Sequence, residues 1–242
     1  YVMLLVNGQR TVLSSVSMIP MVSIARVEVL RGPAAVQYGS QAFGGVVNII
    51  TKRGSEQTQA SIEIGGGSWE SWKAMAGASG MVGDVDFAFG FSHGLRTGNW
   101  KDGKGNKIDN TEVGGQTTYY ANVGYNFANE HRIGVNFLGA NFDRSGDWGG
   151  TTYGDVHGDD KESYYDRKNF AVGVNYEGGL KEYGLNWFVN YNHSEEDNIR
   201  YSPSNTGPYA KEFKNDNLQA QLSWKYNFLT LTGGVDYNKG KA

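Results

Sequence analysis

From about residue 58 to residue 239 the side chains alternate in character with a period of two, and that period confines the chain to long β-strands. In YYANVGYNF, Tyr119, Ala121, Val123, Tyr125 and Phe127 share one face, while Tyr120, Asn122, Gly124 and Asn126 share the other. NLQAQLSWKYN sets Leu218, Ala220, Leu222, Trp224 and Tyr226 against Gln219, Gln221, Ser223 and Lys225. The same division recurs at Val85, Phe87, Phe89 and Phe91, at Phe170, Val172, Val174 and Tyr176, and at Tyr183, Leu185, Trp187, Val189 and Tyr191. HRIGVNFLGANFD loses phase between Phe137 and Ala140, which predicts either a bulge or a strand buried on both sides.

Roughly nine alternating runs can be placed, near 58–66, 70–80, 84–95, 117–127, 131–143, 168–177, 182–194, 215–226 and 229–239. Most have the ~9–11 residues that a tilted strand needs to cross a bilayer. Their links alternate: MVGD, ANE, GGLK and a very tight link are short, whereas 96–116, 144–167 and 195–214 are long. That sorting by side is the pattern of an outer-membrane barrel, with short turns at one rim and long loops at the other. A soluble β-sandwich also alternates, but its strands are typically ~5–6 residues and its loops have no reason to sort. Tyr119, Phe127, Tyr176, Tyr183, Trp224, Tyr226 and Tyr237 fall toward strand ends on the apolar face, where interfacial girdles sit.

Composition narrows the function classes. Gly 35, aromatics at 13% and only 4 Pro suit many strands and little helix. A net charge of -3, without a basic stripe, argues against nucleic acid as a partner. There is no cysteine, so disulfides and thiolate metal sites are excluded. No apolar run is long enough for a membrane-crossing helix, a test that β-barrels escape because only alternate residues meet lipid. His93, His131, His157 and His193 are scattered without metal-ligand spacing, and no GxSxG or other catalytic spacing is present. The sequence therefore predicts no enzyme, no cofactor and no metal site. The carboxylates of 143–167, including Asp143, Asp155 and Asp166, lack EF-hand order and read as a solvated loop.

Residues 1–54 have a different grain. MLLV, RVEVL and GVVNIITK are short, β-branched runs of the kind that fill a small buried sheet, and Asn7-Gly8 between apolar flanks is a hairpin signal. Pro33 can open a helical turn through AAVQY, and Gly32, Gly39, Gly44 and Gly45 supply turns or close approaches. The stretch ARVEVLRGPAAVQYGSQAFGGVVNIITKRG, with LLVNGQR and MIPMVSIARVEVL before it, resembles the end of the plug domain of TonB-dependent outer-membrane receptors.

The resemblance implies a mostly β chain: the end of a small mixed α+β plug at 1–54, followed at 55–242 by about nine antiparallel strands of an incomplete transmembrane β-barrel. The chain reads as a piece of a longer receptor in the outer membrane of a Gram-negative bacterium, lacking the N-terminal segment that contacts TonB. Such receptors import a scarce ligand, most often a ferric siderophore or other iron chelate; the alternative is a passive porin or structural barrel without energy coupling. In the family a plug arginine pairs with barrel glutamates, and Arg31 matches that position, which makes Glu28 and Arg31 the candidates for plug-to-barrel coupling. Arg96, Trp100, Arg144, Trp148 and Tyr153 in the long loops are candidate ligand contacts, because aromatics mixed with arginine suit a flat anionic ligand such as a ferric catecholate. Implied partners are TonB, the ferric chelate and outer-membrane lipid.

Overall fold

A computed structural model describes residues 2–12, 16–32, 44–97, 103–106, 113–128, 130–146, 164–201 and 209–241. Within them lie two sheets, one of four strands and one of nine. The small sheet comes first. β1 (Met3–Val6) and β2 (Gln9–Arg10) are joined by Asn7-Gly8, both left-handed at φ 52° and 79°, the geometry of a two-residue hairpin turn. β3 (Ile24–Leu30) and β4 (Val46–Thr51) complete the order β2-β1-β4-β3. β4 runs parallel to β1 and antiparallel to β3, so the sheet is mixed.

β4 carries the burial that its VVNIIT sequence predicts: Val46 and Ile49 are fully covered. β3 differs from expectation. Val27 and Val29 are 52% and 56% exposed, because β3 is an edge strand and their face is not covered by any described element. The helical turn expected at Pro33 falls outside the described residues.

β5 (Gln59–Gly67), β6 (Ser71–Val82), β7 (Val85–Arg96), β8 (Val113–Phe127), β9 (His131–Gly146), β10 (Tyr164–Leu180), β11 (Leu185–Tyr201), β12 (Tyr209–Tyr226) and β13 (Leu229–Lys241) form one antiparallel wall in chain order. β5 and β13 are its edges. Each short link is a tight one: Gly83-Asp84 between β6 and β7, a 3-10 turn at Lys181–Tyr183 between β10 and β11, and Asn227-Phe228 between β12 and β13. Strands β8 to β12 reach several residues past the alternating runs at the long-loop end. Pairing there continues through Tyr164↔Tyr201 and Arg200↔Tyr209, although both faces are polar and carry no period-two signal.

The phases separate as the sequence predicts. Phe89, Phe91, Val123, Tyr125, Ile133, Val135, Val174 and Val189 point outward and stay exposed, whereas Asp86, Ala88, Thr118, Tyr120, Asn122 and Asn175 on the other phase are buried. No second sheet covers the outward face among the described residues, which removes the sandwich and leaves lipid as the medium that makes this surface stable. Girdle aromatics cluster at the short-turn end, with Phe127, His131 and Tyr176 stacked at centroid separations of 5.4 to 6.5 Å.

The small sheet lies against the inward face of this wall. Met18, Ile19 and Ile49 pack with Ala88, Tyr120, Leu138, Ala140, Phe142 and Ala171 in one buried cluster. This contact explains the loss of phase at Phe137 to Ala140. The pairing of β9 with β8 and β10 is regular there, so no bulge exists; Leu138, Ala140 and Phe142 are apolar on the inward phase because they receive the small sheet. Close approach is also cut into β6 and β7. A Cβ at Gly77 would stand 3.1 Å from Val22 Cβ, and one at Gly90 would collide with Ser23 Oγ.

Val123→Arg places a charge on the outward phase and is expected to cost ~2–4 kcal/mol if it lies near the bilayer midplane. Reversible folding into lipid vesicles measures this, with Val123→Leu as a comparison that keeps the outward face apolar.

Candidate functional site

The junction between the two sheets carries the densest polar chemistry among the described residues. β4 leads into the linker 52–58, and three contacts tie this passage to the wall. The Tyr120 hydroxyl, on the inward phase of β8, donates within 2.8 Å of Thr51 Oγ1 and stands 3.0 Å from the Lys52 carbonyl oxygen. Arg53 donates through both terminal nitrogens to the Glu177 carboxylate of β10, at 2.8 and 2.5 Å. Gly54 then passes so close to Gly80, Asp86 and Phe87 that a side chain would not fit. The carboxylate raises the pKa of Arg53 further above its ordinary value, chiefly through these hydrogen bonds.

A fork-on-fork pair has a fixed geometry that a lysine could not reproduce, so Arg53 positions the linker as well as neutralising charge. Its two side chains are 42% and 38% exposed, and water screens much of the attraction. Beside it on β10, Asn175 belongs to a drier network. The Arg132 guanidinium donates to both Asp86 oxygens at 2.7 Å, to Asn122 Oδ1 at 2.7 Å and to Asn175 Oδ1 at 2.8 Å. The Arg132 and Asp86 side chains are only 9% and 5% exposed, so each carries the other's charge inside the wall. This network stitches β7, β8, β9 and β10 at the short-turn end, beneath the Arg53–Glu177 pair.

The residues singled out from sequence are placed differently. Glu28, on β3, accepts from Arg26 Nε at 2.8 Å and Asn48 Nδ2 at 3.0 Å. Those two hydrogen bonds, Arg26 first, hold its carboxyl below the usual range. Glu28 thus ties β3 to β4 rather than reaching the wall. Arg31 stands exposed just past β3, next to Gly45, and makes no ion pair among the described residues. Arg96 ends β7 and Arg144 lies near the end of β9, both at the long-loop rim. Trp100, Trp148 and Tyr153 lie outside the described residues. His93 bonds Thr117 Oγ1, and His193 sits between Asp216 and Glu195 on the outward phase, as solvent-side or girdle residues do.

Arg53, Tyr120, Thr51 and Glu177 are the junction residues that sequence reasoning passed over. A signal for two of them was present: Tyr120 and Glu177 stand on the polar phase of their strands, where a tyrosine or a glutamate has to find a partner in the lumen. Nothing in the sequence pairs Glu177 with a residue 124 positions away.

Residues 1–46 match the family described as TonB-dependent Receptor Plug Domain. Over 66 residues the chain is 48% identical to the ferrienterobactin receptor of Escherichia coli K12, a stretch equal to 27% of this chain and 8% of that receptor. It is 47% identical over 58 residues to the ferric enterobactin receptor PirA of Pseudomonas aeruginosa, covering 24% of this chain and 8% of PirA. Among solved structures, the ferripyoverdine receptor of P. aeruginosa matches 98% of the chain with a TM-score of 0.77 at 17% identity, and the siderophore receptor PirA of Acinetobacter baumannii matches 99% with 0.75 at 16%. The chain spans 36% and 40% of those two structures. These likenesses fix the fold over nearly the whole chain.

Arg132→Ala is expected to destabilise the folded wall by ~3–5 kcal/mol, because Asp86 is left buried and unpaired, whereas the double change Arg132→Met with Asp86→Leu recovers most of that loss. Tyr120→Phe is expected to cost ~1–2 kcal/mol. Thermal unfolding of the full-length protein in detergent micelles checks both.

Proposed function

We propose that this chain, a member of the TonB-dependent outer-membrane receptors by its plug residues and its fold, works in the energy-driven import of a ferric siderophore. It belongs to the outer membrane of a Gram-negative bacterium. One observation carries the reading: at rest a folded sheet is fastened inside the strand wall, so the lumen is occupied by the protein itself. An open pore needs no such sheet, and nothing favours the porin alternative.

The segment divides, on this reading, into the end of the plug at 1–54 and the first barrel strands at 55–242. Enterobactin receptors among its relatives support a catecholate chelate of iron as the ligand. Such a ligand is polyanionic and flat, and the arginine and aromatic residues that the sequence sets in or beside the long links, Arg96, Trp100, Arg144, Trp148 and Tyr153, suit it by charge and by stacking. TonB supplies the mechanical work and no bond of the ligand is broken, so the plug must be displaced without unfolding the wall. We assign Arg53 and Glu177 to hold the linker during that step. Arg31 is assigned to ion pairing with further wall glutamates, and Glu28 steadies the strand that carries it.

The full-length receptor, expressed in cells lacking their own siderophore receptors, is expected to accumulate iron from ferric enterobactin, and to stop when TonB is removed. Uptake that persists without TonB, together with steady single-channel conductance of the purified protein, would instead establish a passive pore.

A further inference from the structure

On β11, β12 and β13 the outward phase changes character within one row. Val189, Ala220 and Val235, then Tyr191, Leu218 and Tyr237, are apolar or aromatic across all three strands. The next two rows toward the long-loop end read His193, Asp216, Lys239 and Glu195, Lys214, Lys241, six titratable side chains in six adjoining places. A face that meets lipid carries such a block only where hydrocarbon has ended and headgroups have begun. β10 still presents Val172 and Phe170 in these rows, because a membrane boundary slants across tilted strands. The opposite rim slants the same way: from Tyr176 on β10 to Trp187 on β11 and Trp224 on β12, the aromatic boundary moves one row nearer the short turns at each strand.

Hydrogen bonds fix this block internally. Asp216 Oδ1 accepts from the Tyr191 hydroxyl and from His193 Nδ1, both at 2.8 Å. His193 Nε2 faces Glu195 Oε1 at 3.1 Å, so both ring nitrogens meet carboxylate oxygens, which only accept, and the ring is held as an imidazolium. The same Glu195 oxygen takes Lys214 Nζ at 3.1 Å, and Glu212 takes it at 2.7 Å. Lys214 is therefore fixed in direction while 38% exposed.

Charge is divided unevenly within the block. Glu195, Glu212 and Asp216 are engaged by His193, Lys214 and Tyr191. On β13, Lys241 stands directly opposite Lys214, and Lys239, two residues along, stands opposite Asp216. Like charges directly opposed on neighbouring strands repel, and an anion seated between them relieves that repulsion.

We propose that Lys214, Lys239 and Lys241 form a docking site for the phosphorylated headgroup of an outer-leaflet lipid. Tyr191, Leu218 and Tyr237 lie beneath it against the acyl chains, and His193 acts as a positioning residue that holds Lys214 through Glu195. A lysine suits this place because its aliphatic stem lies along apolar surface while three N–H donors reach a phosphate. The carboxylates beside the lysines oppose a freely diffusing anion. A lipid phosphate is delivered there by its own tails, which share the apolar rows below, and this continuity with the lipid-facing surface selects a lipid over inorganic phosphate. The site depends on the outer-membrane placement and not on the import reading; the two fail separately, since lipid binding is read without any iron chelate.

The test uses the full-length receptor, so that β13 is not an edge, with diphosphorylated lipid A in mixed micelles as the probe. Changing Lys214, Lys239 and Lys241 together to Gln is expected to weaken binding at least about tenfold, whereas changing all three to Arg keeps it within about threefold. Should the triple Gln variant fail to fold, Lys241→Gln alone, expected to lose about threefold, carries the same comparison. Dephosphorylated lipid A is expected to bind parent and variant alike. His193→Phe, which keeps the ring contact with Phe170, is expected to weaken binding in the parent and to change nothing once Lys214→Gln is present, because it acts through that lysine. Equal binding of phosphorylated lipid A by parent and Gln variants overturns the site. Inorganic phosphate that displaces lipid A at equal concentration overturns the lipid as its occupant, and equal losses from His193→Phe in both backgrounds remove the positioning role.

Discussion

Inside a bilayer no water is available to satisfy a peptide N–H or C=O, so a strand that enters lipid must find both neighbours within the protein, and the nine-stranded ladder from β5 to β13 is the direct result. Once the ladder is fixed, the pleat fixes the rest: alternate side chains meet lipid, and the others meet whatever fills the lumen. Phe89, Val123 and Val174 stand on one phase, and Asp86, Asn122 and Asn175 on the other, because a shift of one residue would drive the charged set into hydrocarbon. The buried Arg132–Asp86 network is possible only because that second phase faces protein.

The lumen face is not uniformly polar, and its departures from polarity mark where the small sheet is seated. Leu138, Ala140, Phe142 and Ala171 form an apolar seat on β9 and β10, whereas in the same rows β11 and β12 present Ser194, Glu196, Phe213 and Asn215. Burying Met18, Ile19 and Ile49 on that seat contributes ~1.5–3 kcal/mol for each side chain, more than a half-exposed ion pair supplies. Arg53 and Glu177 therefore add direction to an attachment whose strength is mostly apolar.

Much of this architecture was legible in the sequence. All nine strands, the short-long order of their links, the hairpin at Asn7-Gly8 and the outward set of aromatics follow from periodicity and turn chemistry. Strand ends at the loop rim were underestimated: from Tyr164 on β10 and through Tyr201 on β11 the ladder continues in polar sequence, where hydrogen bonding persists without amphipathic contrast. The loss of phase in β9 was visible, but two causes fitted it. Arg31 stood out because it interrupts an apolar segment, while Arg53, in a plain KRG turn, reached the wall carboxylate instead.

By itself the sequence determined the grain of the molecule: a period of two over about 180 residues, with links that sort short and long, requires long strands with one apolar and one polar face, and the change near Lys52 separates them from a small buried sheet. Only the tertiary structure decided which inward residues would touch that sheet and which carboxylate Arg53 would meet. Those contacts join positions more than a hundred residues apart, and local pattern encodes which face a side chain takes but not which distant strand will stand opposite it.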